Sequence, residues 1–390
     1  MNILISVQNL NMGGPSRFVL RLAKELGKEN NIFIYDFYPY LNEINIDSAE
    51  YKNIHFLSVK NNWTDHINWK INSIIQKING KSRYWERVMK NHFDKCLLKY
   101  NIQIVLSTVK NIDYIVGPIA RKRNIPFIVR LNSDYGINNN YSREDKSTQE
   151  IVNNLNGIIY TADFHFKNLK KRIKFSGDVK ETKIMNGIES PSKNYHKPKK
   201  FPSSIEEDCI VFGMVARGIK EKGWEVTINA FQKLSEKYES EKLYLILVGG
   251  SDYVENIRLK NINKYIHFVG KTNDSMNWIN QFDVCLLPTY FKNESTPNSL
   301  IEYLTCGKPV ISTNYVEIPN MMEFDNKIAG RLINLKNGKP ISNDLFLEME
   351  YYLKNKTKII DHGRLAKSAS KKFNIKVCSQ LYLDFFLKFN

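Results

Sequence analysis

The chain has 390 residues, 42% of them hydrophobic and 25% charged, which is enough apolar material for two ordinary domains, each with its own core. A net charge of +17 makes nucleic acid the first partner to consider, yet no nucleic-acid-binding module is legible. No apolar run long enough to cross a membrane and no charged-then-apolar leader is present, so a soluble, unexported, cytoplasmic protein is expected. Five cysteines without C-x-x-C or His-paired spacing read as reduced packing residues, with no metal.

The predicted elements begin with Met1-Asn-Ile-Leu-Ile-Ser-Val, a strand over 2–7, followed by Gly13-Gly14-Pro-Ser-Arg17 and a helix carrying Val19, Leu20, Leu22, Ala23 and Leu26. Strand, glycine loop and helix form the opening unit of a doubly wound sheet, although a Gly-Gly pair lacks the full dinucleotide fingerprint. Further strands are expected near 31–36, 104–107, 126–131 and 157–160.

Residues 63–100 stand apart. They hold eight Lys or Arg against three acids, three of the five tryptophans (Trp63, Trp69, Trp85), and an isoleucine stripe of Ile67, Ile71, Ile74, Ile75 and Ile78. A basic, apolar-striped helix with nearby aromatics suits an anionic membrane surface, and Lys167, Lys170, Lys171, Arg172 and Lys174 extend the patch. The alternative is that the stripe packs on the sheet and the lysines face water.

The polar, proline-bearing stretch Ser190–Ser204 reads as a connector, placing one domain at 1–190 and a second at 205–374. Beyond it, strands are expected at 209–215, 243–248, 266–269, 283–287 and 309–312, giving an α/β chain with two open sheets facing each other across a cleft. A final amphipathic helix within 375–390 carries Cys378, Leu381, Tyr382, Phe385 and Phe389.

Two stretches of the second domain carry chemistry. In Phe212-Gly-Met-Val-Ala-Arg217-Gly-Ile-Lys-Glu-Lys222-Gly223, two basic residues sit on a glycine-bearing loop between a strand and a helix. Fixed cations there suit a leaving group that gathers negative charge. In Glu294-Ser-Thr-Pro-Asn-Ser-Leu-Ile-Glu302, two carboxylates bracket a loop-to-helix turn after the apolar run Val284–Pro288. Thr296 and Pro297 read as N-cap and first-turn proline, so Glu302 falls in the second helical turn. The helix start offers backbone N–H donors through Asn298 and Ser299, while Pro297 offers none.

These stretches resemble the R-x4-K-G loop and the E-x7-E motif of the GT-B-fold retaining glycosyltransferases of family 4, the group 1 type that builds surface polysaccharides. Gly307-Lys-Pro-Val-Ile-Ser-Thr, Glu317-Ile-Pro319 and Asn186-Gly187-Ile188-Glu189 extend the likeness over nearly the whole chain. The resemblance implies two Rossmann-like domains with the final helix returning to the first. It also implies a metal-independent transferase needing no cofactor beyond a nucleoside-diphosphate sugar, with uridine the favoured base. Arg217 and Lys222 would neutralise the diphosphate, Glu302 would hold the ribose, and Glu294, Thr296, Pro297, Asn298 and Ser299 would hold the sugar. Gly13, Gly14 and Asn132 would contribute from the first domain; Asn132 stands where many relatives have a His, and an amide cannot titrate. The acceptor implied is a glycan on a polyprenyl-diphosphate carrier, which puts the protein peripherally on the inner face of the cytoplasmic membrane. Two rival readings keep the fold: a nucleotide-sugar epimerase or phosphorylase, and a catalytically silent scaffold of a glycan-assembly complex.

Overall fold

The computed structural model of the protein describes residues 1–10, 14–44, 46, 49–59, 83–133, 141–190, 195–261 and 263–389. The chain divides into two units, Met1–Gly187 with Ile375–Asn390, and Ile188–Asn374.

The first unit is built on a seven-stranded parallel sheet in the order β3-β2-β1-β4-β5-β6-β7. The strands are β1 (Asn2–Val7), β2 (Asn31–Asp36), β3 (Ile54–Ser58), β4 (Ile104–Ser107), β5 (Phe127–Leu131), β6 (Gly157–Tyr160) and β7 (Lys180–Lys183). Apolar side chains alternate between the two faces because successive Cβ atoms point to opposite sides. Leu4, Phe33, Val105, Phe127 and Val129 pack with helices Arg83–Lys99 and Lys110–Lys122. Ile3, Ile5, Ile32, Ile34, Ile104 and Ile128 pack with helices Gly14–Leu26 and Ile375–Phe386.

Helix Arg83–Lys99, the later part of the basic segment, buries Met89, Phe93, Cys96 and Leu97 in the core and leaves Arg87, Lys95 and Lys99 exposed. Trp63, Trp69 and the isoleucine stripe lie outside the described residues. On the last helix, Leu381 is 47% exposed, and the buried stripe runs instead through Ile375, Cys378, Tyr382, Phe385 and Phe386, because Phe386 rather than Leu381 faces the sheet.

Arg130 of β5 fastens that last helix. Its buried guanidinium donates from Nε to the Tyr382 hydroxyl (2.7 Å), from Nη2 to the Asn186 side chain, and stacks on Phe18 at 4.2 Å from the ring centre. A planar cation that satisfies a hydroxyl, an amide and an aromatic face at once ties β5, the first helix and the last into one core.

The second unit has a six-stranded parallel sheet in the order β10-β9-β8-β11-β12-β15. Its strands are β8 (Ile210–Val215), β9 (Leu243–Val248), β10 (Ile266–Gly270), β11 (Val284–Leu287), β12 (Val310–Thr313) and β15 (Gly330–Ile333). A two-stranded hairpin of β13 (Glu323–Phe324) and β14 (Lys327–Ile328) stands apart from it. The described part of the connector packs on this unit: Ser204 O accepts from the Tyr244 hydroxyl (3.0 Å), and Phe201 stacks on Trp278 at 6.1 Å. All five cysteines are free thiols. Among the described residues no helix is long and apolar enough to cross a membrane.

One buried acid makes stability pH-dependent. Asp113, in the first turn of helix Lys110–Lys122, is fully buried; desolvation outweighs the stabilising Ser107 hydroxyl and the Lys110 charge and pushes its carboxyl from 3.8 to about 8. Across that window the folded carboxyl keeps a proton that the unfolded one releases, so its contribution to stability declines as pH rises. Urea unfolding of Asp113→Asn, which mimics the protonated form, should show a shallower decline between about pH 5 and pH 8 than the wild type. Parallel profiles would refute the assignment.

Candidate functional site

In each sheet the strand order reverses beside the first strand, and ligands of open α/β sheets bind outside the carboxyl ends of the strands at such a point. In the second unit the reversal lies between β8 and β11. Two loops leave it: Ala216–Gly223, ahead of helix Trp224–Lys237, and Pro288–Pro297, ahead of helix Asn298–Thr305.

The first loop is held from three sides. Arg217 O accepts from the indole of buried Trp224 (2.9 Å), Gly218 O accepts from the Ser251 hydroxyl (2.6 Å), and Glu221 O accepts from the backbone of Tyr290 in the second loop (2.9 Å). Gly223 ends it with φ of +81°, and a Cβ there would stand 2.4 Å from Pro288 O. Only glycine lets the two loops touch at that point. The exposed Arg217 guanidinium lies 4.8 Å from the Phe291 ring centre, and the Lys222 ammonium lies 5.4 Å from the same ring.

Lys222 and Glu294 form an ion pair with side chains only 8% and 7% exposed, and the same Glu294 oxygen accepts from the Thr289 hydroxyl at 2.8 Å. Thr289 is in turn fixed by β12, because the Thr313 hydroxyl donates to its carbonyl (2.6 Å). Two of the residues singled out from sequence are thus brought into direct contact.

The turn differs by one residue from the expected cap. Pro297, with ψ of 120°, is itself the N-cap and Asn298 the first helical residue; Thr296 lies buried ahead of it. A residue before proline is pushed to extended backbone, which keeps Thr296 outside the helix. The first helical bond runs from Ile301 N to Pro297 O (3.3 Å), so the N–H groups of Asn298, Ser299 and Leu300 precede the ladder and carry the positive dipole end. Glu302, buried in the second turn, accepts from the Ser275 hydroxyl at 3.1 Å. Next to it, the hydroxyl of fully buried Tyr303 accepts from Val215 N (2.6 Å) and donates to Val215 O (3.2 Å), locking this helix to the end of β8.

In the first unit, Gly14 opens its helix and Gly13 lies outside the described residues. Asn132, just past β5, donates to Thr108 O (2.8 Å), while the Thr108 hydroxyl donates to Ser6 O (3.1 Å). The amide therefore ties together the carboxyl ends of β1, β4 and β5. Ser275, Thr289, Phe291 and Tyr303 went unnoticed in the sequence; nothing in their spacing distinguishes them from packing residues.

Gly223→Ala should cost on the order of 2–4 kcal/mol of unfolding free energy, combining left-handed strain with the clash on Pro288. Denaturant titration checks it, and a loss under about 1 kcal/mol would mean the loops separate at little cost.

Residues 208–343 match the family model described as glycosyl transferases group 1. An uncharacterized glycosyltransferase of Methanocaldococcus jannaschii is 26% identical over 153 residues, 38% of this chain and 36% of that protein's length. Among solved structures, Anabaena HepE in complex with UDP and glucose superimposes with a TM-score of 0.75 at 14% identity, covering all of both chains. A glycosyltransferase from Rickettsia africae does so with a TM-score of 0.73 at 16% identity, covering 100% of this chain and 98% of that one. The match to the group 1 glycosyl transferase model is thus confined to residues 208–343 of the second unit, and the two doubly wound Rossmann-like units are those of the GT-B fold.

Proposed function

We propose that the protein is a retaining, metal-independent glycosyltransferase that moves a hexose or N-acetylhexosamine from a nucleoside-diphosphate sugar to a lipid-linked glycan in bacterial surface-polysaccharide synthesis. Uridine is the base we favour, since HepE was solved with UDP and glucose. The observation that carries the reading is the buried Lys222–Glu294 pair with Thr289 at the carboxyl ends of β8 and β11. A cation and a carboxylate held side by side out of water suit a ligand that is anionic at one end and rich in hydroxyls at the other.

In this reading Arg217 and Lys222 face the diphosphate and supply the positive charge its departure requires. The N–H groups of Asn298 and Ser299 and the Thr296 turn meet the sugar beside Glu294, and Glu302, oriented by Ser275, accepts from the ribose diol. The bond from the sugar's anomeric carbon to the phosphate oxygen breaks as the acceptor oxygen bonds to the same face. The acceptor's proton passes to the departing phosphate, so no protein base is consumed.

Thermal unfolding against UDP, GDP and ADP and their hexoses, with and without EDTA, tests this directly. One nucleotide should raise the melting temperature by several degrees regardless of EDTA; a shift that vanishes with EDTA would refute metal independence, and no shift at all would favour the silent scaffold. With that donor, Glu294→Gln and Lys222→Ala should each lower turnover by about 100-fold or more with the fold retained. Near-normal turnover in either would remove that residue from the mechanism.

We further propose that the protein sits peripherally on an anionic membrane through residues 63–100. Exposed Lys167, Lys170 and Lys171 next to Phe164, which is 49% exposed, support a basic, partly apolar face on the first unit. Flotation with phosphatidylglycerol vesicles at low salt should carry the protein upward and lose it at high salt; retention in the soluble fraction at both would refute membrane docking.

A further inference from the structure

The two cations of the first loop are held in different ways. Lys222 is paired with Glu294, whereas the exposed Arg217 guanidinium makes no ion pair and no side-chain hydrogen bond among the described residues. What stands against it is an aromatic ring. Phe291, on the second loop, has its ring centre 4.8 Å from the guanidinium carbon and 5.4 Å from the Lys222 ammonium.

Phe291 is fixed by the residues that build the ion pair. Its N–H donates to the Thr289 hydroxyl (3.4 Å), the same hydroxyl that donates to Glu294, and its carbonyl accepts from Glu294 N (2.8 Å). One residue earlier, Tyr290 N donates to Glu221 O (2.9 Å), which binds this loop to the one that carries both cations. The half-buried ring therefore has a set place beside them. An aromatic face is electron-rich, so a cation within about 6 Å of its centre is attracted to it, and a planar guanidinium also stacks on it. Two like charges that repel each other are here drawn to one neutral surface.

We propose that Phe291 is a positioning residue for the donor's diphosphate: its ring holds the Arg217 guanidinium in reach of Lys222, and the two cations together select a nucleoside diphosphate over a monophosphate. This rests on the glycosyltransferase reading above. Glu294 already balances the charge of Lys222, so Arg217 supplies the positive charge that a second phosphate group answers. A diphosphate spans both cations, whereas a monophosphate has one anionic group to offer and gains little from the second. An aliphatic side chain in place of the ring would fill the space but leave the guanidinium to sample its rotamers, and it would have to be ordered each time a ligand arrives.

Calorimetry with UDP, GDP and ADP, each paired with its monophosphate, on wild type, Phe291→Leu, Phe291→Tyr, Arg217→Ala and the Arg217→Ala/Phe291→Leu double variant provides the test. Phe291→Leu should weaken the preferred diphosphate by about 10-fold and its monophosphate by less than about threefold, while Phe291→Tyr, which keeps an electron-rich ring, should stay within about twofold of wild type for both. In the Arg217→Ala background, Phe291→Leu should change diphosphate affinity by less than about threefold, because the cation that the ring holds is gone. A wild type that binds no nucleotide would overturn the glycosyltransferase reading and this inference with it. If nucleotides bind but Phe291→Leu keeps the full preference for the diphosphate, or weakens both ligands equally, the inference alone is overturned. A full loss from Phe291→Leu in the Arg217→Ala background, or a Phe291→Tyr variant as weak as Phe291→Leu, would likewise overturn it.

Discussion

The geometry at the carboxyl end of the second sheet depends on keeping one ion pair out of water. Taking an ammonium and a carboxylate from solvent costs several kcal/mol for each ion, and mutual attraction offsets this only when the remaining hydrogen-bonding positions are filled. At Lys222 and Glu294 that condition brings in residues from β12 and from the loop after β11. Thr289, past β11, gives its hydroxyl to the carboxylate; Thr313 of β12 fixes Thr289; Phe291 lays its ring near the ammonium. Gly223 then lets the loop bearing Lys222 close onto Pro288. Remove any of these and a buried charge loses part of its compensation.

The pair also fixes a long side chain in one place. An unpaired lysine would ordinarily sample many rotamers, at an entropic cost of about 2 kcal/mol when it is fixed. Holding Lys222 against Glu294 meets that cost during folding, so its position is set before anything binds. The same logic applies at Glu302, whose carboxylate accepts from the Ser275 hydroxyl. Such preorganisation is a means of stabilising charge that develops during reaction.

How far the sequence revealed this follows from burial. Central parallel strands are covered on both faces, so Leu-Ile-Ser-Val, Ile-Phe-Ile-Tyr and Leu-Ile-Leu-Val announce themselves as apolar runs. The unannounced strands β3, β7 and β15 are all sheet edges, with one partner and half their surface in water. β7 reads Lys-Glu-Thr-Lys, which has no apolar signal at all. At the site, Arg217, Lys222, Glu294 and Glu302 were legible because charged groups at fixed spacing around loop-to-helix turns are uncommon. That Lys222 and Glu294 touch was not legible, since 72 residues separate them and contact is created only by the adjacency of β8 and β11. Thr289, Ser275 and Tyr303 are ordinary residue types whose roles come from what stands opposite them. Proline misled by one position: Pro297 has the φ of a first helical residue, but its ψ holds it outside the helix.

Local rules are kept almost everywhere else, which gives their breach here its meaning. Sequences fold cleanly when propensity, pattern and packing agree, and departures concentrate where function is served. Around the ends of β8, β11 and β12 three departures coincide: a buried ion pair, a glycine in a left-handed turn pressed against a carbonyl, and Val316 with φ of +51°. Each costs stability when considered alone, and each lies on a loop whose two ends are bonded to the sheet. The sheet supplies the rigidity that tolerates these costs, and the loops convert it into fixed positions for a cation and two carboxylates. A looser arrangement of the same residues would be more stable locally, but it would have to order those groups again at every binding event.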